Sequence, residues 1–289
     1  MERLCLLTDL NRVLLATDGS DFSEGAVREA LGLAASCSSH LLALTAVETN
    51  LRYTSLAPNV AGKLGEVIQD QELQAGKDLE AVKTRAVEAG VRCDTAVEIG
   101  ESAAGMIVDA ARRDGSELIV MGRRGLSGIS RLAMGSVTAK VISRAPCDVL
   151  IVPRDARPGC FKTIMAATDG SSFGEAAVGE AIKMAQKCDS DLIVFSAAPS
   201  ESRSEQAADA LRRAESLTAA AGATAQAVTA TGKPHEEILK AARLNHVDLI
   251  VVGRHGRGML EKLLLGSVTE RVIGHASCAV MVVSAQEGK

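Results

Sequence analysis

Two glycine constellations recur at matching places in the chain: Gly122-Arg123-Arg124-Gly125, then nine residues, then Gly135-Ser136; and Gly253-Arg254-His255-Gly256, then nine residues, then Gly266-Ser267. A glycine at a fixed place marks a backbone that needs a positive φ or close approach by another group, and such glycines ahead of a helix predict a phosphate cradle. Gly122 and Gly125 let the chain pass close to a ligand without side-chain bulk. Gly135 and Ser136 open a helix whose first N–H groups lack intrahelical partners, so the helix dipole, those N–H groups and the Ser136 hydroxyl form an anion site. Gly266 and Ser267 repeat the arrangement.

The repetition is wider than the glycines. Aligned without gaps, Arg12 to Ala46 and Thr163 to Ala197 agree at roughly 16 of 35 positions, including Ala16-Thr17-Asp18-Gly19-Ser20 against Ala167-Thr168-Asp169-Gly170-Ser171. Glu117 to Leu150 matches Asp248 to Met281 about equally well. The chain therefore reads as two copies of a unit of about 140 residues, a normal domain size, with domains over residues 1–153 and 159–289. Pro153 to Gly159 reads as a tight linker. The first copy carries about twenty extra residues between Glu48 and Gln71, read as a loop difference. With Leu51, Tyr53, Leu56, Pro58 and Val60, it is expected to cover the first site as a lid.

Apolar runs predict strands over Val13 to Ala16, Leu41 to Val47, Val91 to Ile99, Leu118 to Met121 and Val149 to Val152, alternating with helices over Glu24 to Ser36, Val67 to Ala89, Ser102 to Asp114 and Ser136 to Arg144. The second copy repeats the strands at Ile164 to Ala167, Leu192 to Ala197, Thr224 to Thr229, Leu249 to Val252 and Val280 to Val283. Alternation of this kind gives an α/β fold with a doubly wound sheet in each copy, and ligands in such sheets bind beyond the carboxyl ends of the strands, where the strand order reverses. Asp18 and Asp169 end the first strands, and Gly122 and Gly253 follow the fourth. All four fall on that edge.

Nearly half the residues are apolar, a quarter are charged and the formal net charge is −4, the composition of a soluble globular protein. Without a basic tract and almost without aromatics, nucleic acid is a poor partner. The amino terminus reads neither as a signal peptide nor as a span, which predicts a cytoplasmic protein without membrane insertion. The seven cysteines are scattered with no Cys-x-x-Cys. Cys37 and Cys147 recur as Cys188 and Cys278, which suits small, reduced core positions.

The runs Ala-Thr-Asp-Gly-Ser and Gly-x-x-Gly-x9-Gly-Ser, followed by Val-Thr and then Ala145-Pro146-Cys147-Asp148-Val149-Leu150, resemble the universal stress protein family in a tandem form, and the glycine motif resembles that of its ATP-binding branch. The resemblance covers nearly the whole chain. It implies a Rossmann-like, adenine nucleotide alpha hydrolase-like domain with a five-stranded parallel sheet in each copy, and ATP as the ligand. Asp18 and Asp169 would lie near base and ribose, and Gly122 and Gly253 near the ribose. Gly125, Gly135, Ser136, Gly256, Gly266 and Ser267 would hold phosphates, with backbone N–H groups from Val137 and Val268. Val47, Arg123 and Arg254 complete the candidate set; the side chains of Arg123, Arg124, Arg254 and Arg257 are read as offsets to phosphate charge or as solvated loop surface. Family members pair through the fifth strand, so Val149 to Val152 should meet Val280 to Val283 within the chain. A homodimer and an unidentified regulatory protein are further expected partners. ATP would bring Mg2+.

Asp18 and Asp169 have a second reading as caps of a turn or of the next helix. His255 stands where the first copy has Arg124, giving that position a group that titrates near neutrality or a plain surface residue. The residue after Gly135 and Gly266 is serine where a Walker loop has lysine, and no catalytic motif appears elsewhere. Three readings stay open on the sequence: a non-catalytic ATP-dependent regulator, which is favoured; a slow ATPase or self-phosphorylating switch; and a nucleotide-free scaffold.

Overall fold

The computed structural model describes residues 10–49, 58–125, 134–156, 161–256 and 265–284, with side chains from residue 65 in the first helix segment after the gap at 50–57. Strands β1 (Arg12–Ala16), β2 (His40–Glu48), β3 (Cys93–Gly100), β4 (Leu118–Gly122) and β5 (Asp148–Val152) alternate with helices α1 (Glu24–Cys37), α2 (Pro58–Glu88), α3 (Ala103–Asp114) and α4 (Ser136–Arg144). The second half repeats the series as β6 (Thr163–Ala167), α5 (Ser172–Cys188), β7 (Asp191–Ala198), α6 (Ser204–Ala220), β8 (Gln226–Thr231), α7 (Pro234–Leu244), β9 (Leu249–Gly253), α8 (Ser267–His275) and β10 (Ala279–Val283).

All ten strands form one sheet in the order β3-β2-β1-β4-β5-β10-β9-β6-β7-β8. Each half contributes five parallel strands, and the order reverses between β1 and β4 and between β6 and β9. The halves meet where β5 and β10 pair antiparallel, Val149 opposite Val282, Leu150 opposite Met281 and Ile151 opposite Val280. This is the meeting of fifth strands expected from the sequence. Those six side chains are each about 1% exposed. At about 1.5–3 kcal/mol for each fully buried side chain of this type, parting the halves here would cost far more than a surface contact returns.

Period-two alternation explains the layers. Val13 and Leu15 of β1 point into a core shared with α1, α2, α5 and α6. Leu14 and Ala16 point to the other face, covered by α3, α4, α7 and α8. Burial on both faces is why the strands read as continuous apolar runs. Both cores run without a break across the β5–β10 junction, Leu150 and Met281 on one face, Val149 and Val282 on the other.

The extra segment of the first half departs from the reading as a loop. It lengthens a helix: α2 starts at Pro58 and has 31 residues, against 17 in α6. Proline at a helix start costs nothing, because its missing N–H would be unpaired there anyway. Of the residues named for the expected lid, Leu51, Tyr53 and Leu56 lie outside the described residues, as does part of the linker, while Pro58 and Val60 fall within α2.

Cys93, Cys147 and Cys278 are free thiols. Burial pushes Cys147 and Cys278 up to about 12, which suits inert core positions. Cys37 departs from the expectation of a reduced residue. It ends α1, is only partly buried and is disulfide-bonded.

Candidate functional site

In each half the carboxyl end of the first strand delivers an aspartate into a tight turn. Asp18 Oδ1 accepts from Ser20 N at 3.1 Å and from Ser20 Oγ at 2.6 Å, and Asp169 Oδ1 accepts from Ser171 N at 3.0 Å. Gly19 and Gly170 both take φ +72°, the left-handed region that a side chain disfavours. The capping role read for these aspartates is therefore realised through one carboxylate oxygen. The other oxygen faces the glycine motif. A methyl group on Gly125 would strike Asp18 Oδ2, and one on Gly256 would lie 2.6 Å from Asp169 Oδ2.

The remaining motif glycines divide by cause. A methyl on Gly122 would meet the Phe22 and Arg124 carbonyl oxygens at 3.0 Å, and one on Gly253 would meet the Phe173 backbone at 2.7 Å. Close packing of the end of the fourth strand against the start of the first helix of each half, α1 or α5, accounts for both. Gly135 has no such internal reason. Its φ and ψ are −65° and 146°, open to any residue, and the nearest protein atom to an added methyl is Arg123 O at 3.4 Å. Gly266 has an equally ordinary backbone but less room, since an added methyl would lie 3.2 Å from Arg254 O and the backbone would have to give slightly. At Gly135, then, nothing among the described residues demands glycine, and its absence of a side chain leaves the backbone open to an approaching group.

Gly135 and Gly266 are the N-caps of α4 and α8, and neither helix start has a side-chain cap. The N–H groups of Ser136, Val137, Ser267 and Val268 lie in these first turns, where no intrahelical acceptor exists. The ends of the long excursion are pinned by Gly135 N donating to Arg123 O at 3.0 Å and Gly266 N donating to Arg254 O at 3.1 Å. Below them Thr138 Oγ1 donates to Gly122 O at 3.2 Å and Thr269 Oγ1 to Gly253 O at 2.9 Å. These buried threonines fix each helix start against the end of the preceding strand. The sequence showed them only as the Thr of a recurring Val-Thr, and recurrence was the available signal.

In the second half these parts enclose a cavity of about 280 Å³. Its lining combines apolar residues, Ala167, Phe195, Ile238, Val252 and Val268, with the motif residues Asp169, Gly256, Gly266 and Ser267. That volume is near the lower end of the roughly 300–1,000 Å³ range of small-molecule sites, enough for a flat ring system with a polar tail reaching the motif residues. His255 also lines it, packed edge-on against Phe173 with ring centroids 5.2 Å apart. Burial, and then the charge of Arg254, hold His255 below the usual histidine range. Val47, the remaining candidate, is buried near the end of β2, opposite Ile99 of β3.

The arginines correct one expectation. The Arg123 and Arg254 side chains do not point at their own helix starts: Arg123 Nη1 donates to Ala276 O at 2.9 Å, and Arg254 Nη2 donates to Ala145 O at 3.0 Å, each across the junction of the halves. Burial lowers both from the usual arginine value. An offset to phosphate charge by these guanidinium groups does not fit that placement, since their hydrogen bonds are made elsewhere. Arg203 and Gln206, at the start of α6, do line the second cavity. They were missed because the lengthened α2 breaks the alignment there. Arg257 lies outside the described residues.

Among the described residues no group of three or more His, Cys, Asp and Glu is placed to hold a metal ion, and no helix is long and apolar enough to cross a membrane.

The model of the universal stress protein family matches residues 10–153 and again residues 161–284. Universal stress protein YxiE of Bacillus subtilis is 36% identical over 146 residues, covering 49% of this chain and 98% of its own. Universal stress protein Sll1388 of Synechocystis is 30% identical over 149 residues, covering 49% of this chain and 96% of its own. Over the full length, the crystal structure of a universal stress protein from Archaeoglobus fulgidus DSM 4304 matches with a TM-score of 0.75 at 24% identity, covering 96% of this chain and 98% of that one. At that identity the likeness speaks for the fold.

Proposed function

The chain belongs to the universal stress protein family in a tandem form, and on that premise we propose that each half binds one ATP and that the protein is a non-catalytic, nucleotide-dependent regulator in the stress response. The observation that carries the reading is the pair of uncapped helix starts at Gly135 and Gly266; at Gly135 nothing among the described residues demands glycine. In the second half this start opens onto a cavity whose lining includes the apolar Phe195, Ile238 and Val252, which suit a base.

In this reading Val252, Ile238 and Phe195 surround the base, while Asp169 Oδ2 and the backbone at Gly256 meet the ribose side. The N–H groups of Ser267 and Val268, with the Ser267 hydroxyl, take the phosphates. Each helix-start contact contributes about 0.3–1 kcal/mol. A micromolar ligand needs about 8 kcal/mol, so most of the affinity must come from the buried base and from several such contacts together. Mg2+ fits as an ion held mainly by phosphate oxygens and water, with Asp169 the carboxylate lining the cavity. When bound it would neutralise phosphate charge.

Regulation follows if occupied and empty cradles present different surfaces to a partner. Isothermal titration of the full chain with ATP and magnesium tests the binding, and product analysis over hours tests the absence of turnover. Saturable binding without accumulating ADP is expected. No binding, or steady hydrolysis, would overturn the reading.

A further inference from the structure

The arginine that follows the first motif glycine belongs to two sites at once. Its backbone closes its own cradle, since Arg254 O accepts from Gly266 N at 3.1 Å and Arg123 O accepts from Gly135 N at 3.0 Å. Its side chain caps the far end of the helix that serves the other cradle. Arg254 donates to Ser143 O at 3.4 Å, to Ala145 O at 3.0 Å and to Ser284 Oγ. Ser143 lies in the last turn of α4, and Ala145 is its C-cap. Arg123 donates to Ala276 O at 2.9 Å, and Ala276 is the C-cap of α8. Ala145 and Ala276 are counterparts in the repeat, so the contact is made twice, in opposite directions.

Both helices have nine residues, about 13 Å at the usual rise, so each guanidinium sits one helix length from the opposite half's anion-binding turn. The last carbonyls of a helix lack intrahelical donors and carry the negative end of its dipole, which a cation complements. An anion at the start and an arginine at the end therefore stabilise the same helix in the same position.

We propose that Arg123 and Arg254 are positioning residues that couple the two nucleotide sites, each holding the phosphate-facing helix of the opposite half. The inference rests on the nucleotide reading of the previous subsection. A nucleotide that orders the Arg254 to Gly256 segment fixes the Arg254 side chain on α4 and so prepares the first site. The ordering cost is met once, and the second nucleotide binds more tightly. By linkage the effect is reciprocal. The two wires are unequal: Ser284, which gives Arg254 a further acceptor, has Pro153 as its counterpart beside Arg123, and proline offers no hydroxyl.

The test is ATP titration, with magnesium, of the full chain carrying Gly266→Trp, Arg254→Ala, Arg254→Lys, or Gly266→Trp with Arg254→Ala. Gly266→Trp fills the second cradle and leaves the first as the reporter. The wild type should bind two ATP with positive cooperativity. Gly266→Trp should weaken the first site about fivefold or more, the lower range of ordinary coupling. Arg254→Ala should weaken that same distant site to a similar degree, with no further loss in the double variant. Lysine keeps the charge without the planar fork and should restore part of the effect. Equal first-site affinity in wild type and Gly266→Trp, or an Arg254→Ala loss confined to the second site, would overturn the coupling. If Arg254→Ala does not fold, the wild type against Gly266→Trp decides alone. Absence of ATP binding to the wild type would instead overturn the nucleotide reading itself.

Discussion

In the first half the helix after the second strand runs for 31 residues; in the second half its counterpart runs for 17. Counting back from the positive-φ glycine after each helix, Gly90 and Gly222, puts Asp78 of α2 level with Ala210 of α6. Asp78 approaches so closely that a methyl on Gly19 would collide with its carboxylate. The long helix thus leans on the turn that presents Asp18, while in the second half Arg203 and Gln206 at the start of the short helix line the cavity. Elsewhere Arg124 is matched by His255, Asp148 by Ala279 and Pro153 by Ser284. The features that recur unchanged are those two cradles share: the Asp-Gly-Ser turns, the three glycines and the threonines beneath the helix starts. Around a common cradle, the halves differ in what surrounds it.

The largest expected effect separates fold from ligand. Gly135→Trp and Gly266→Trp should each lower affinity at their own site by 100-fold or more, read by ATP titration, because bulk at the cap blocks the first helical N–H groups. Gly135→Ala should leave stability within about 0.5 kcal/mol, since φ and ψ there suit any residue and the nearest atom is 3.4 Å away. A large stability loss in Gly135→Ala would mean the glycine serves folding.

Asp148 sharpens the contrast between the fifth strands. Burial raises its carboxyl to about 6, although its Oδ1 accepts from Ser284 N at 2.8 Å and Arg254 lies near. The folded chain then holds more protons than the unfolded one between about pH 4 and 6, so this group's contribution falls as pH rises through that window and stays low above it. Asp148→Asn keeps an acceptor for Ser284 N. It should add on the order of 1–3 kcal/mol at pH 7 and little at pH 4, by denaturant unfolding. Ala279 offers no equivalent gain in the second half.

The smallest effects lie on the outer helices. Arg85 holds Glu24 through two bonds of 3.0 and 2.9 Å, while Arg213 reaches Glu175 at 3.3 Å. Both pairs are partly exposed, so Arg85→Ala should cost about 0.5–1 kcal/mol and Arg213→Ala about 0.5 kcal/mol or less in thermal or chemical unfolding. The reverse order would show that the long helix is held by its packing alone.

The strands were legible because strands buried on both faces must be apolar runs; Leu118 to Gly122 and Leu249 to Gly253 lie within a residue of where the runs put them. The sheet-edge strand β8 lies two residues beyond its reading, since it alternates between exposed and half-buried residues and has no such run. The start of α2 was missed because Pro58, Asn59 and Gly62 read as loop residues, although proline is favoured at a helix start. At the candidate site, glycine spacing identified the turn and the helix start, since both are local backbone features. Where Arg123 and Arg254 point was not legible. Their acceptors are carbonyls more than a hundred residues away, and a backbone carbonyl has no residue type for a sequence to show.

The most direct test of the central claim, that each half carries its own nucleotide cradle, is ATP stoichiometry by calorimetry on the wild type, Gly135→Trp, Gly266→Trp and the double variant. The account predicts two, one, one and none per chain. Full occupancy in the variants, or none in the wild type, would contradict it.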